Sequence, residues 1–110
     1  MAVPFSQRAP IVTAAAETNT VTLYAPSGNL APVLFYASIE TGVSAQNDGI
    51  ELGFIDNGNF IRVCQLIPVS SRREWTGMRI TGPDGAGVAM RYDHGAVAGT
   101  SSILFNGQFE

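Results

Sequence analysis

From Ile50 to Ile67 the chain reads IELGFIDNGNFIRVCQLI, two largely apolar stretches either side of Asn57-Gly58. Asn and Gly both tolerate positive φ, which a two-residue type I′ turn needs at its central positions, so the segment predicts a β-hairpin. The turn then sets the register: Asp56 faces Asn59, Ile55 faces Phe60, Phe54 faces Ile61, Gly53 faces Arg62, Leu52 faces Val63 and Glu51 faces Cys64. One face carries Ile50, Leu52, Phe54, Ile61, Val63 and Ile67, with Gln65 as its polar member. The other carries Glu51, Gly53, Ile55, Phe60, Arg62 and Cys64, with Glu51 and Arg62 as diagonal neighbours. A one-residue slip would turn the apolar set to water, so burial of one face specifies the pairing.

The flanking sequence continues in strands. Residues 20–25 alternate and are rich in β-branched side chains, with Val21 and Leu23 on one side and Thr20, Thr22 and Tyr24 on the other. Pro26-Ser27-Gly28-Asn29 is a turn cluster. Residues 33–39 are apolar on both faces, and their β-branched and aromatic content favours a buried strand over a short helix. Residues 41–49 read as a loop, as do the polar residues 69–74. Residues 75–81 predict a strand with Thr76, Met78 and Ile80 on one side. Gly82-Pro83-Asp84-Gly85 is a turn with Pro second and Gly fourth. Residues 88–92 return with Val88, Met90 and Tyr92 on one side, and residues 102–106 form a last strand. Residues 13–17 offer only the start of a helical turn, too short to stand alone.

The expectation is therefore all-β: a single antiparallel β-sandwich or barrel, jelly-roll or Ig-like, of about seven or eight short strands. Residues 1–19 read as an extended N-terminal arm and residues 20–110 as the β-sandwich domain. Pro4 and Pro10 bar a helix in the arm and limit ladder pairing. Val3, Phe5, Ile11 and Val12 make it too apolar for a solvated tail, so these four are the candidate assembly interface.

Composition narrows the function classes. At 110 residues the chain suits one domain with one core. Net charge is −3, with six Arg and no Lys. Only Arg72-Arg73 are adjacent, and Glu74 follows them, which argues against a phosphate-tracking groove and hence against nucleic acid. No stretch is apolar enough to span a membrane, and MAVPFSQRAP lacks the basic and apolar regions of a signal peptide. The single Cys excludes an internal disulfide and a Cys-rich zinc site.

No constellation predicts catalysis. A triad needs a nucleophile, a base and an orienting acid. His94 is the one His, and neighbouring Asp93 would point to the opposite face of an extended strand. Asp-His-Gly is also ordinary turn chemistry. Cys64 reads as a small half-buried hydrophobe, not a nucleophile. Asp56, Asn57 and Asn59 miss the EF-hand spacing, and the hairpin turn accounts for them. The glycines of residues 82–87 precede a strand, whereas a phosphate cradle needs a helix. No catalytic residue, metal ligand or cofactor site is expected. Tyr24 and Trp75 are the aromatic candidates for a sugar-stacking surface, against the simpler expectation that they pack at the rim of the core.

A small chain with no export signal, no reactive constellation, an apolar N-terminal arm and sandwich patterning resembles the small virion proteins of tailed phages, especially capsid decoration or cement proteins. The resemblance is one of overall character and rests on no motif. It implies a non-enzymatic structural protein of the virion, assembled in the host cytoplasm. It also implies a homo-oligomer, as a trimer first, that contacts a major capsid protein or another virion subunit. The alternative is a carbohydrate- or ligand-binding β-sandwich module.

Overall fold

A computed structural model describes residues 2–13, 18–41, 50–66, 72–93 and 99–110. They form nine strands: β1 (Val3–Thr13), β2 (Thr18–Tyr24), β3 (Pro32–Thr41), β4 (Ile50–Asp56), β5 (Asn59–Leu66), β6 (Arg72–Trp75), β7 (Ile80–Thr81), β8 (Gly87–Asp93) and β9 (Gly99–Phe109). The fold is all-β. One antiparallel sheet runs β1-β9-β3-β6, with β7 also paired to β3, and the other runs β2-β8-β4-β5. Setting β7 aside, each sheet has four strands, and successive strands change sheets except at the β4–β5 hairpin. That is the strand order of a jelly roll.

The core lies between the sheets. Leu34, Ala37 and Ile39 of β3, with Ile103, Phe105 and Phe109 of β9, meet Ile50, Leu52 and Phe54 of β4 and Val88, Met90 and Tyr92 of β8. Val88, Met90 and Tyr92 of β8 share the core side as expected, while Ala89 between them is buried on the opposite face.

The hairpin turn forms at Asn57-Gly58, with φ of 50° and 82°. The register follows expectation from Asp56–Asn59 to Gly53–Arg62 and then shifts. Leu52 faces Cys64, not Val63, and Glu51 faces Gln65, not Cys64. Val63 is the extra residue of a β-bulge. Gly53 permits it: a Cβ there would strike the Ile61 carbonyl oxygen. The bulge turns Cys64 and Leu66 into the core, while Ile61 at the sheet edge stays exposed. A bulge re-aims the side chains beyond it, which alternation alone does not foresee.

Two further bulges act alike. In β2 the ladder skips Leu23, so Tyr24 faces Val88 and takes the side of Val21 instead of the expected side of Thr20 and Thr22. In β3 it skips Phe35, between Leu34–Gly107 and Tyr36–Asn106. The expected strand over 75–81 is broken. Trp75 ends β6, Gly77 sits at φ 64°, and only Ile80–Thr81 re-pairs with β3. The segment read as a polar loop supplies most of β6 instead. The turn expected at 82–85 is displaced by one residue: the Ala86 N–H donates to the Pro83 carbonyl at 3.1 Å, and Gly85 takes φ 79°.

Residues 3–13 also differ from expectation. They are β1, paired with β9 without interruption from Val3–Phe109 to Thr13–Gly99. Phe5 is 5% exposed and packs on Tyr24, Phe105 and Phe109. The segment is thus an edge strand of the sandwich, and the expected boundary at 19/20 falls inside β2.

Leu52 is fully buried. Leu52→Ala should therefore cost about 2–5 kcal/mol in urea unfolding, and a loss under about 1 kcal/mol would contradict the buried rung. Gly53→Ala must push β5 away and should cost about 1–3 kcal/mol by the same measurement.

Candidate functional site

The outer face of the β2-β8-β4-β5 sheet carries the densest polar cluster. One rung crosses the sheet as Thr20–Arg91–Glu51–Gln65, and the next crosses β8, β4 and β5 as Ala89–Gly53–Arg62. Gly53 has no side chain and Ala89 only a methyl, so the long residues lie flat over them. The Arg91 Nε and Nη2 donate to Glu51 Oε1 at 3.1 and 3.0 Å, and Nη2 also reaches Oε2 at 3.2 Å. The same guanidinium lies 4.8 Å from the Phe60 ring centroid. Arg62 Nη1 donates to Gln65 Oε1 at 2.9 Å and stands 3.7 Å from Glu51 Oε2.

Glu51 is 8% exposed even though it lies on an outer face. The arginine stems cover it, as long cationic side chains do when they lie along a surface. Its charge is answered by the bidentate Arg91 and by Arg62 beyond. The arrangement fixes three strands in register. Its chemistry is that of an ion pair: Oε1 accepts two hydrogen bonds from Arg91 and Oε2 accepts one.

The expected nearness of Glu51 to Arg62 holds. Sequence reasoning missed the stronger partner, Arg91. Its signal was present, since Arg91 lies between the inward Met90 and Tyr92. That phase puts it on the outer face, but which strand lies beside β8 is not written locally.

Cys64 is 1% exposed. Burial pushes its thiol up from 9.0 to about 11, with the Arg73 charge opposing. A neutral, enclosed thiol behaves as a hydrophobe and not as a thiolate nucleophile. His94 lies outside the described residues. Asp56, Asn57 and Asn59 serve the hairpin turn. Among the described residues no group of three or more His, Cys, Asp or Glu is placed to hold a metal, and no helix is long and apolar enough to cross a membrane.

The aromatic candidates are occupied by packing. Tyr24 stacks on Phe5 with ring centroids 5.2 Å apart, and its hydroxyl donates to the Ser6 carbonyl at 3.1 Å. Trp75 packs against the core with the Arg73 guanidinium 4.9 Å from its ring. On the outer face of the other sheet, Tyr36 donates to Glu74, which also pairs with Arg72. Arg79 covers Phe35 and pairs with Glu110. Of the candidate interface residues, Val3 is exposed, Phe5 is in the core, and Ile11 and Val12 lie in β1 with their side chains outside the described set.

The sequence matches no protein-family model and no curated protein.

Arg91→Ala would leave a nearly buried carboxylate with only a distant partner and should cost about 1–3 kcal/mol in denaturant unfolding. Arg62→Ala removes a longer, exposed contact and should cost under about 1 kcal/mol. For Cys64 the folded pKa is raised, so its contribution is intact below pH 9 and is lost as pH climbs toward 11. Wild type should lose stability over that window relative to Cys64→Ala, as thermal melts at stepped pH would show.

Proposed function

We propose that this chain is a non-enzymatic structural protein of a virion, in the manner of a capsid decoration or cement protein. It works by contact with copies of itself and with a larger capsid or virion subunit. The observation that carries this reading is the jelly-roll strand order, an architecture used by viral capsid domains. Lectins use it too, and fold alone does not fix function. What favours the structural reading is the fate of the aromatic side chains. Tyr24 and Trp75, which a sugar-binding face would present, are spent on the seams between the sheets. On the outer faces Glu51 is likewise paired with Arg91 and Arg62, Glu74 with Arg72, and Glu110 with Arg79.

The placement of β1 changes how the N-terminal segment takes part. Phe5 belongs to the core, so removing residues 1–12 should destabilise the domain instead of releasing a folded monomer. The segment contributes surface through Val3, not as a free arm.

The test is composition. Particles banded on a density gradient from cells carrying the gene should contain the chain in a fixed ratio to the major capsid protein. A chain absent from such particles, but binding a defined glycan on an array, would replace this reading with the sugar-binding one.

A further inference from the structure

A sheet with open edges invites pairing, and proteins guard those edges with prolines, charges, bulges or short strands. Here the edges are guarded unequally. On β1, the Tyr24 hydroxyl reaches the Ser6 carbonyl, which places that carbonyl on the side away from β9. Pro4 and Pro10 share the phase of Ser6, so the outward rungs at both positions offer no N–H. β6 spans four residues and carries Arg72, Arg73 and Glu74, while β7 spans two. β5 carries the bulge at Val63 and the exposed Arg62, which self-pairing would bring toward its own copy.

β2 differs from all of these. Its sequence TNTVTLY has no charge and no proline. It pairs with β8 alone, so its other edge has no strand partner among the described residues. Thr20, Val21 and Thr22 are exposed in succession, with Val21 at 37% among the few large apolar side chains left open. The strand is also self-complementary. A two-fold axis at Val21, the middle of Thr18–Tyr24, sets Val21 against its own copy and Thr20 against Thr22 on both sides. Apolar and Thr–Thr pairs are favourable cross-strand neighbours, and no like charges oppose. The bulge at Leu23 lies off this centre.

We propose that β2 is a self-association edge: two copies pair antiparallel through β2 about a two-fold axis at Val21, joining their four-stranded sheets into one continuous sheet. Such an interface is isologous, the same patch meeting itself, and it closes at two copies. It refines the self-association in the reading above and needs no virion partner.

Sedimentation of the purified chain up to about 1 mM should show a dimer of the 11.6 kDa chain in equilibrium with monomer. Val21→Lys places like charges directly opposite, and Thr22→Lys places them beside the axis. Each should raise the dimer Kd at least about tenfold. Ile61→Lys, on the β5 edge, should leave it unchanged. Circular dichroism and melting confirm that each variant is folded, and Thr22→Lys decides if Val21→Lys is not. Weakening in either folded β2 variant, with Ile61→Lys unaffected, supports the edge contact. A wild type that stays monomeric overturns it, as does a dimer that survives both β2 variants or is dissolved equally by Ile61→Lys. A dimer whose chain is missing from particles leaves the edge contact standing and removes the virion reading. A monomer found in particles does the reverse.

Discussion

The larger sheet depends on β9 to join β1 to β3, the strand that carries β6 and β7. β9 pairs with β1 along one side and β3 along the other. Its inward residues Ile103, Phe105 and Phe109 stand at the centre of the core, and Phe105 meets the rings of Phe5 and Tyr24. Gly107 in the same row has no side chain because a Cβ would strike the Val33 carbonyl and the Phe5 ring. The strand that completes the sheet comes last in the chain, while one of its partners comes first. Loop closure over nearly the whole sequence must therefore precede the contacts that reward it, the condition under which β-proteins fold slowly.

The smaller sheet is organised by an approach of backbones at Gly53. That residue admits the bulge of β5, and the bulge sends Cys64 and Leu66 inward. The same missing side chain leaves room on the outer face for Arg91 to lie between Glu51 and Phe60. One glycine thus serves both faces of the sheet. A buried ion pair is a weak source of net stability, but breaking it is costly. Its evident use here is to fix the alignment of β8, β4 and β5, whose inner faces are all apolar and less particular about register.

The surfaces divide between those already satisfied and those left open. Ion pairs on the outer faces engage Arg62, Arg72, Arg79 and Arg91, and the seam aromatics close one flank. The strand edges remain, and they are what an assembly protein has to offer. Three are blunted by local means: proline phase on β1, charge and brevity on β6, a bulge and Arg62 on β5. Among the described strands only the threonine-rich β2 combines backbone availability with a neutral, self-matching sequence.

Much of this was legible in the sequence. Alternation in residues 50–56 and 88–92 identified strands and their buried faces, because a half-buried strand must repeat every two residues. Asn57-Gly58 set the hairpin turn, because few residue pairs accept two positive φ values. Turn and strand signals together gave an all-β sandwich. What the sequence could not place was whatever depends on a partner strand distant in the chain. The bulge at Val63 follows from the close approach of Ile61 to Gly53. The inward turn of Tyr24 follows from its pairing with Val88. The capture of Glu51 by Arg91 needs β8 beside β4, and the membership of residues 3–13 in the sheet needs β9. Local chemistry determined which segments are strands and which face of each is apolar. Tertiary structure alone decided which strands are neighbours, because non-local pairing is the sum of many small contacts and no one residue encodes it.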